Sequence, residues 1–129
     1  MSSLYAQDAL PFDVARARAS CEWLLEHPDS GAIWLLEVDG VQVGYLILTV
    51  CVSIEFGGRF ALLDELYIEV PWRGRGIARQ AIEFAEGWTR DRRMSALRLE
   101  TAVENAHAIH VYSNSGFSIH SRHLMTKWL

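Results

Sequence analysis

The chain has 129 residues, of which 50% are hydrophobic and 22% are charged, and its formal net charge is -4. This size and composition predict one soluble globular domain over residues 1–129, with a single core. The acidic balance argues against a nucleic-acid partner, because binding to phosphates normally requires a basic surplus.

The targeting and cysteine patterns of the sequence give no sign of a location outside the cytoplasm. The longest apolar run, residues 43–52, is too short to span a bilayer, and the N-terminus lacks the pattern of a secretory signal, so we expect no membrane partner. Cys21 and Cys51 make neither a disulfide framework nor a metal motif. These features favour a cytoplasmic protein.

The first predicted element is a helix over residues 12–26, which Asp13 can cap and which Pro28 prevents from continuing. Two β-rich runs follow, over residues 32–38 and 41–52. The dipeptide Asp39-Gly40 between them is typical of a type I′ hairpin. The beginning of the chain therefore predicts a helix and an antiparallel strand pair.

The remaining elements alternate between strand and helix. After a loop over residues 53–59, we expect a strand over 60–70, a helix over 77–88, a strand over 97–101, a helix over 105–114 and last strands over 117–119 and 124–129. Ile77, Ala81, Ala85 and Trp88 share one face of the second helix. This order predicts an α/β domain, an α+β arrangement on a mixed sheet with some parallel pairing.

A glycine-rich turn joins the predicted third strand to its helix, in the order Arg73, Gly74, Arg75, Gly76, Ile77, Ala78. Glycine lets the backbone approach a ligand closely, and the first-turn N–H groups of a helix attract anions. Together they make a site suited to a pyrophosphate, although an ordinary helix-capping turn could share the motif.

Two cofactor motifs fail at this turn, and a third matches. No Gly-Lys-Ser/Thr tripeptide is present, and Arg79 occupies the place of the last small residue of a dinucleotide fingerprint. The remaining pattern, Arg73, Gly76 and Ala78, resembles the acetyl-CoA signature of the GCN5-related N-acetyltransferase (GNAT) superfamily. The resemblance implies a GNAT-like fold that binds acetyl-CoA.

A second motif lies downstream at the spacing that this superfamily shows. It comprises Asn105, Ala108, Tyr112, Gly116 and Phe117. The resemblance implies that Asn105 contacts the pantetheine arm of the coenzyme and that Tyr112 protonates the departing thiolate. The alternatives are a helix N-cap for Asn105 and core packing for Tyr112.

Three carboxylates are candidates for handling the amine proton. Asp64 and Glu65 lie on the predicted third strand, and Glu55, a candidate substrate contact, lies in the loop before it. Adjacent strand residues face opposite ways unless a bulge intervenes. The resemblance implies that the strands splay here and that the acidic pair corresponds to one in polyamine acetyltransferases. The alternative is that these carboxylates are solvated or form a salt bridge, for example with Arg59.

The expected activity is transfer of an acetyl group from acetyl-CoA to a primary amine of a small molecule, by direct attack in a ternary complex. Main-chain groups of Ile68 and Val70 would pair with the pantetheine arm. We expect no metal, because His107 and His110 have no further ligand at a suitable spacing. The alternative function is a non-catalytic acyl-CoA-binding module with an incomplete acceptor pocket.

The N-terminal region departs from the superfamily, which usually has a strand and a helix before the first helix predicted here. Either the true start lies upstream or the first strand is lacking, which would leave the strand at residues 32–38 on an open edge. We therefore predict a homodimer that covers this edge, by strand pairing or by the helix at residues 12–26 of a partner. Residues 3–9 could instead cover it within one chain.

Overall fold

The architecture is that of a computed structural model, which describes residues 13–129. Four strands form one sheet in the order β1-β2-β3-β4, in which the first three are antiparallel and β4 runs parallel to β3. This mixed sheet with its helices confirms the predicted fold class. The elements are α1 (Val14–Glu26), β1 (Gly31–Val38), β2 (Val41–Ser53), β3 (Gly58–Ile68), α2 (Ile77–Asp91), β4 (Leu97–Leu99) and α3 (Ala106–Asn114).

The hairpin between β1 and β2 has the predicted turn. Asp39 and Gly40 both have positive φ angles, of 50° and 79°. A type I′ turn requires positive φ at both central residues, and its twist matches that of the flanking strands. Val38 consequently pairs with Val41 across the turn, and the register then shifts by one residue between Leu36 and Glu37.

The core lies between the sheet and α2. Leu46 and Leu48 of β2 are fully buried against a face of α2 that includes Ala81, Ala85 and Trp88, as the helical spacing predicted. Ile82 belongs to this face as well, and is 1% exposed. Trp34 of β1 packs edge-on against Trp88 at a centroid distance of 5.5 Å, which extends the core to the edge of the sheet.

Several element ends differ from the sequence prediction. β3 ends at Ile68 because Val70–Trp72 form a 3-10 turn, in which Pro71 offers no backbone donor to a sheet. The helix α2 extends to Asp91, and β4 is limited to Leu97–Leu99.

The prediction of two C-terminal strands is wrong. Residues 117–119 and 124–129 have no strand pairing, and Leu124, Met125 and Trp128 are exposed. Their apolar residues fit a strand pattern, but a strand also needs a hydrogen-bonded partner. Within residues 13–129 the sheet ends at β4, which has only three paired residues and offers little edge for further strands.

The start of α1 agrees with the predicted cap. Asp13 Oδ1 accepts a hydrogen bond from Arg16 N at 3.2 Å, and the helix runs from Val14 to Glu26. Phe12, residues 3–9 and the question of a first strand lie outside the described residues. In the described part of the chain β1 pairs only with β2, and no helix there is long and apolar enough to cross a bilayer.

Candidate active site

The pairing of β3 with β4 ends at Leu63, and we call the region beside β3 beyond this point the cleft. The two strands pair only between Ala61–Leu63 and Leu97–Leu99, so that within residues 13–129 the rest of β3 has a strand neighbour on one side alone. The predicted splay of the strands is therefore present. It starts immediately before Asp64.

A β-bulge accompanies this separation. Across the β2–β3 pair, Glu65 lies opposite Ile47 and Leu63 lies opposite Leu48, which leaves Asp64 as the extra residue of β3. A bulge places two residues against one and interrupts the alternation of faces. The bulge that the acidic pair needed in order to share one cleft is thus observed.

The Glu65 side chain is largely enclosed and is only 8% exposed. The hydroxyl of Tyr45 on β2 donates a hydrogen bond to Glu65 Oε2 at 2.9 Å. Burial of a carboxylate is costly without such partners, and the phenol reduces that cost. Glu65 is therefore an oriented group rather than a solvated surface carboxylate.

Asp64 is exposed at the surface of the cleft, and its pKa is raised above the ordinary value. Partial desolvation by the surrounding protein is the largest cause, followed by repulsion from the Glu65 and Glu100 carboxylates. The pKa of the Cys21 thiol on α1 is also raised, first by burial and then by Glu65, with a smaller contribution from Asp64. Both acidic residues therefore lie near α1.

The glycine-rich turn leads into α2 without a side-chain cap. Gly74 and Gly76 have φ angles of 74° and 80°, and Gly76 is the N-cap residue. A Cβ atom added to either glycine would meet no protein atom within 4 Å. The space beside both glycines is thus open at the start of the 15-residue helix, which fits the predicted site for a pyrophosphate.

The two arginines of this turn are held against aromatic rings. The Arg73 guanidinium lies 5.5 Å from the centre of the Tyr67 ring, and the Arg75 guanidinium lies 4.9 Å from that of Trp72. Ile77 and Ala78, which follow in the first turn of α2, are partly buried. The side chains of the turn are thereby directed onto the protein, while the glycine backbone stays open.

The carbonyls predicted to pair with pantetheine already have partners within the chain. Arg73 Nε donates to the carbonyl of Ile68 at 2.8 Å, and Arg73 N donates to the carbonyl of Val70 at 3.2 Å. Both bonds tie the end of β3 to the turn. A ligand would have to share these acceptors or use other main-chain groups of the same segment.

The downstream motif forms α3. Asn105 Oδ1 accepts a hydrogen bond from Ala108 N at 3.1 Å, so the N-cap reading of this residue is confirmed. Tyr112 is half-buried beside the core and lies edge-on to Phe117, with ring centroids 5.8 Å apart. Packing of Tyr112 is thus observed as well, and the coenzyme roles of both residues stay predictions.

The structure does not bring Glu55 to the cleft. Its carboxylate is exposed and forms two hydrogen bonds with Arg122, which are the main reason that its pKa is lowered. Glu55 lies in the turn that connects Ser53 to Gly58. Glu65 lies on β3, roughly 23 Å along the strand from Gly58. The predicted contact of Glu55 with the acceptor therefore has no geometric support.

Sequence reasoning passed over three residues of the cleft, namely Tyr45, Cys21 and Glu100. None belongs to a family motif, and each comes from a different element or its end. Alternation along β2 puts Tyr45 on the same face as Ile47, but its contact with Glu65 depends on the pairing of β2 with β3, which no local motif indicates. Among residues 13–129, no group of three or more metal-ligating side chains could hold a metal ion.

The mixed sheet, the parting of β3 from β4 and the glycine-capped helix start agree with the fold that the resemblance implied. The sequence profile of the acetyltransferase (GNAT) family matches residues 2–117, and the chain belongs to this family. The match covers both motifs completely, and it agrees with the resemblance found in the sequence.

Two curated relatives extend this result. Over 66 residues, or 51% of the chain, it is 33% identical to streptothricin acetyltransferase of Escherichia coli, of which it covers 38%. Over 115 residues, or 88% of the chain, it is 29% identical to the uncharacterized N-acetyltransferase MJ1207 of Methanocaldococcus jannaschii, of which it covers 49%. The chain thus spans about half the length, or less, of the curated relatives it matches.

Solved structures share the fold. An integron cassette protein from a salt-marsh metagenome, HFX_CASS3, matches all of the chain and 80% of its own length with a TM-score of 0.85 and 30% identity. The aminoglycoside N-acetyltransferase AAC(6')-Iy in complex with CoA matches 90% of the chain and 88% of its own length with a TM-score of 0.73 and 21% identity.

The raised pKa of Asp64 predicts a pH-dependent stability. In the unfolded chain the pKa of Asp64 is lower, near the ordinary 3.8. Above the raised pKa of the folded state, ionised Asp64 therefore destabilises the fold, and this penalty disappears as the pH falls. Asp64→Asn should therefore be more stable than the wild type at pH 8, by a margin that narrows on acidification towards pH 5. Urea unfolding at several pH values measures this margin.

The matched control is Asp29→Asn, which removes one negative charge at an exposed position outside the cleft. This control measures the general effect on stability of removing one negative charge from an acidic chain. If the stability advantage of Asp64→Asn over the wild type stays constant or widens on acidification, the raised pKa of Asp64 is contradicted.

Proposed function

We propose that the protein transfers the acetyl group of acetyl-CoA to a primary amine of a small molecule. The observation that carries this proposal is the placement of two carboxylates, Asp64 and Glu65, on the strand that continues into the open helix start at Gly76. The names of the similar proteins support it, since they include a streptothricin acetyltransferase and an aminoglycoside N-acetyltransferase in complex with CoA.

The main chain from Arg73 to Ala78 would hold the pyrophosphate of the coenzyme. Helix N–H groups favour negative charge, and the open space above Gly74 and Gly76 admits phosphate oxygens to the backbone. Acetyl-CoA supplies an activated thioester. The residues of this chain have three further tasks, which are to orient the amine, to remove its proton and to protonate the thiolate.

Proton removal is assigned to the acidic pair. An alkylammonium has a pKa of about 10.4, so the amine arrives charged and is attracted by carboxylates. Glu65 and Asp64 are the two candidates for the base, directly or through water. The raised pKa of Asp64 makes its carboxylate more basic than an ordinary one, while Glu65 has the more defined orientation.

Direct attack by the amine is favoured over a covalent acyl-enzyme. Cys21 is the nucleophilic side chain near the acidic pair, and its raised pKa keeps the thiol protonated at neutral pH. The thiolate is the nucleophilic form of cysteine, and two nearby carboxylates disfavour it. The proposal therefore has both substrates bound together in one ternary complex.

A panel of amines tests the proposal, with release of free CoA thiol and formation of the acetylated amine as the two readouts. Transfer to at least one amine supports it. Coenzyme binding without transfer to any amine would instead favour the non-catalytic acyl-CoA-binding module.

Gly76→Leu should lower the affinity for CoA by at least about tenfold, or 1.4 kcal/mol. The new side chain would occupy the open space over the helix start and block the approach of phosphates to the backbone. Calorimetric titration with CoA measures the loss. Gly57→Leu is the matched control, because Gly57 has a φ of 78° and equally open surroundings in the β2–β3 turn. Equal affinities for the two variants would contradict the assigned site.

Tyr112→Phe tests the proposed acid. The ring and its contact with Phe117 are retained, while the proton donor is removed. If protonation of the thiolate limits the rate, kcat should fall by about 10²–10⁴ with little change in CoA affinity. Full turnover in this variant would leave Tyr112 with a packing role only.

A homodimer remains part of the proposal. The outer edge of β1 has no strand partner within residues 13–129, and Leu35 on that strand is 60% exposed. Such an edge invites pairing with another chain. Light scattering at micromolar concentration should give the mass of two chains, and a monomeric mass would exclude the dimer at that concentration.

A further inference from the structure

One contact in the cleft joins the acidic pair to the neighbouring strand. Across β2 and β3, Tyr45 lies opposite Tyr67 and Ile47 lies opposite Glu65, so Tyr45 and Glu65 are diagonal neighbours on one face. The Tyr45 hydroxyl donates to Glu65 Oε2 at 2.9 Å. The bond lies in a part-buried setting, where a hydrogen bond to a carboxylate is stronger than in water.

The ring of Tyr45 is itself held in place. It stacks on the ring of Tyr67, with centroids 5.7 Å apart and planes inclined by 29°. Tyr67 is buried, and the Arg73 guanidinium lies over its ring while Arg73 Nε bonds the carbonyl of Ile68. A continuous series of contacts therefore runs from the glycine-rich turn through two tyrosines to Glu65.

We infer that Tyr45 is a positioning residue for the proton acceptor, Glu65, and holds its carboxylate in the orientation from which it takes the amine proton. The inference rests on the proposed function, because it assigns a role within that reaction. A phenol suits this role, since it donates one hydrogen bond and stabilises the ionised form of the acid.

Within residues 13–129, other ionisable groups that act on the acidic pair are Glu100 and Cys21. Asp64 lies next to Glu65 on β3, and Glu100 after β4 faces Asp64; both carry negative charge when ionised. Cys21 of α1 also faces the pair, as a protonated thiol and thus a weak donor. Tyr45 differs from these groups in that its hydroxyl donates a hydrogen bond to Glu65 Oε2.

Tyr45→Phe separates positioning from packing, because it keeps the stacked ring and removes only the hydroxyl. We expect kcat to fall by about tenfold, with the KM for acetyl-CoA unchanged. A hydrogen-bond donor favours the charged form of its acceptor, so its loss should move the acidic limb of the profile of kcat against pH to higher pH. A purely structural role would not move this limb.

Tyr67→Phe is the matched control. It removes a phenol from the facing position of the same strand pair and also keeps the stack. The acidic limb should stay in place in this variant. A shift of equal size in both variants would overturn the inference, since it would show a general effect of losing a hydroxyl from the cleft.

A double-mutant cycle with Glu65→Gln tests whether Tyr45 acts through Glu65. If it does, the double variant should be no slower than Glu65→Gln alone. Three results would each overturn the inference while leaving the transferase activity established. They are additive losses in the double variant, full activity of Glu65→Gln, and an unshifted profile of kcat against pH for Tyr45→Phe. Failure of the wild type to acetylate any amine would overturn the proposed function and this inference with it.

Discussion

The parting of β3 from β4 after Leu63 is the constraint on which the site depends. Up to that residue β3 is bonded on both sides, and beyond it only β2 remains as a partner among the described residues. Unpaired backbone groups in the middle of a sheet need other partners, which makes such a gap a natural place for a ligand to bind. The candidate bases Asp64 and Glu65 lie on the part of β3 beyond this point, and the turn assigned to the coenzyme follows the end of the same strand.

The bulge at Asp64 determines on which face of β3 the Glu65 side chain lies. Without the extra residue, strict alternation would carry Glu65 to the opposite face of β3, where α2 packs against Leu48 and Leu63. A carboxylate there would be buried among aliphatic side chains at a high cost. One additional residue therefore preserves the hydrophobic face of the strand and delivers an acidic side chain to the α1 side.

Local chemistry determined which features could be predicted from sequence. The Asp39-Gly40 turn, the cap of α1 by Asp13 and the start of α2 at Ile77 each depend on a few consecutive residues, and all were predicted correctly. The C-terminal strands were predicted wrongly because pairing depends on a distant edge. The contact between Tyr45 and Glu65 likewise depends on the register of β2 against β3, which includes the bulge at Asp64 and which no short motif records.

The open start of α2 has a consequence for the molecule as a whole. Gly76 provides no side chain to bond the first-turn N–H groups, so the free protein leaves them to water, whereas a serine or aspartate cap would stabilise the helix by about 1 kcal/mol. An anion bound there restores those bonds only in the folded chain. If acetyl-CoA is that anion, as proposed, then by mass action the resistance of the chain to unfolding and proteolysis rises with the concentration of the coenzyme.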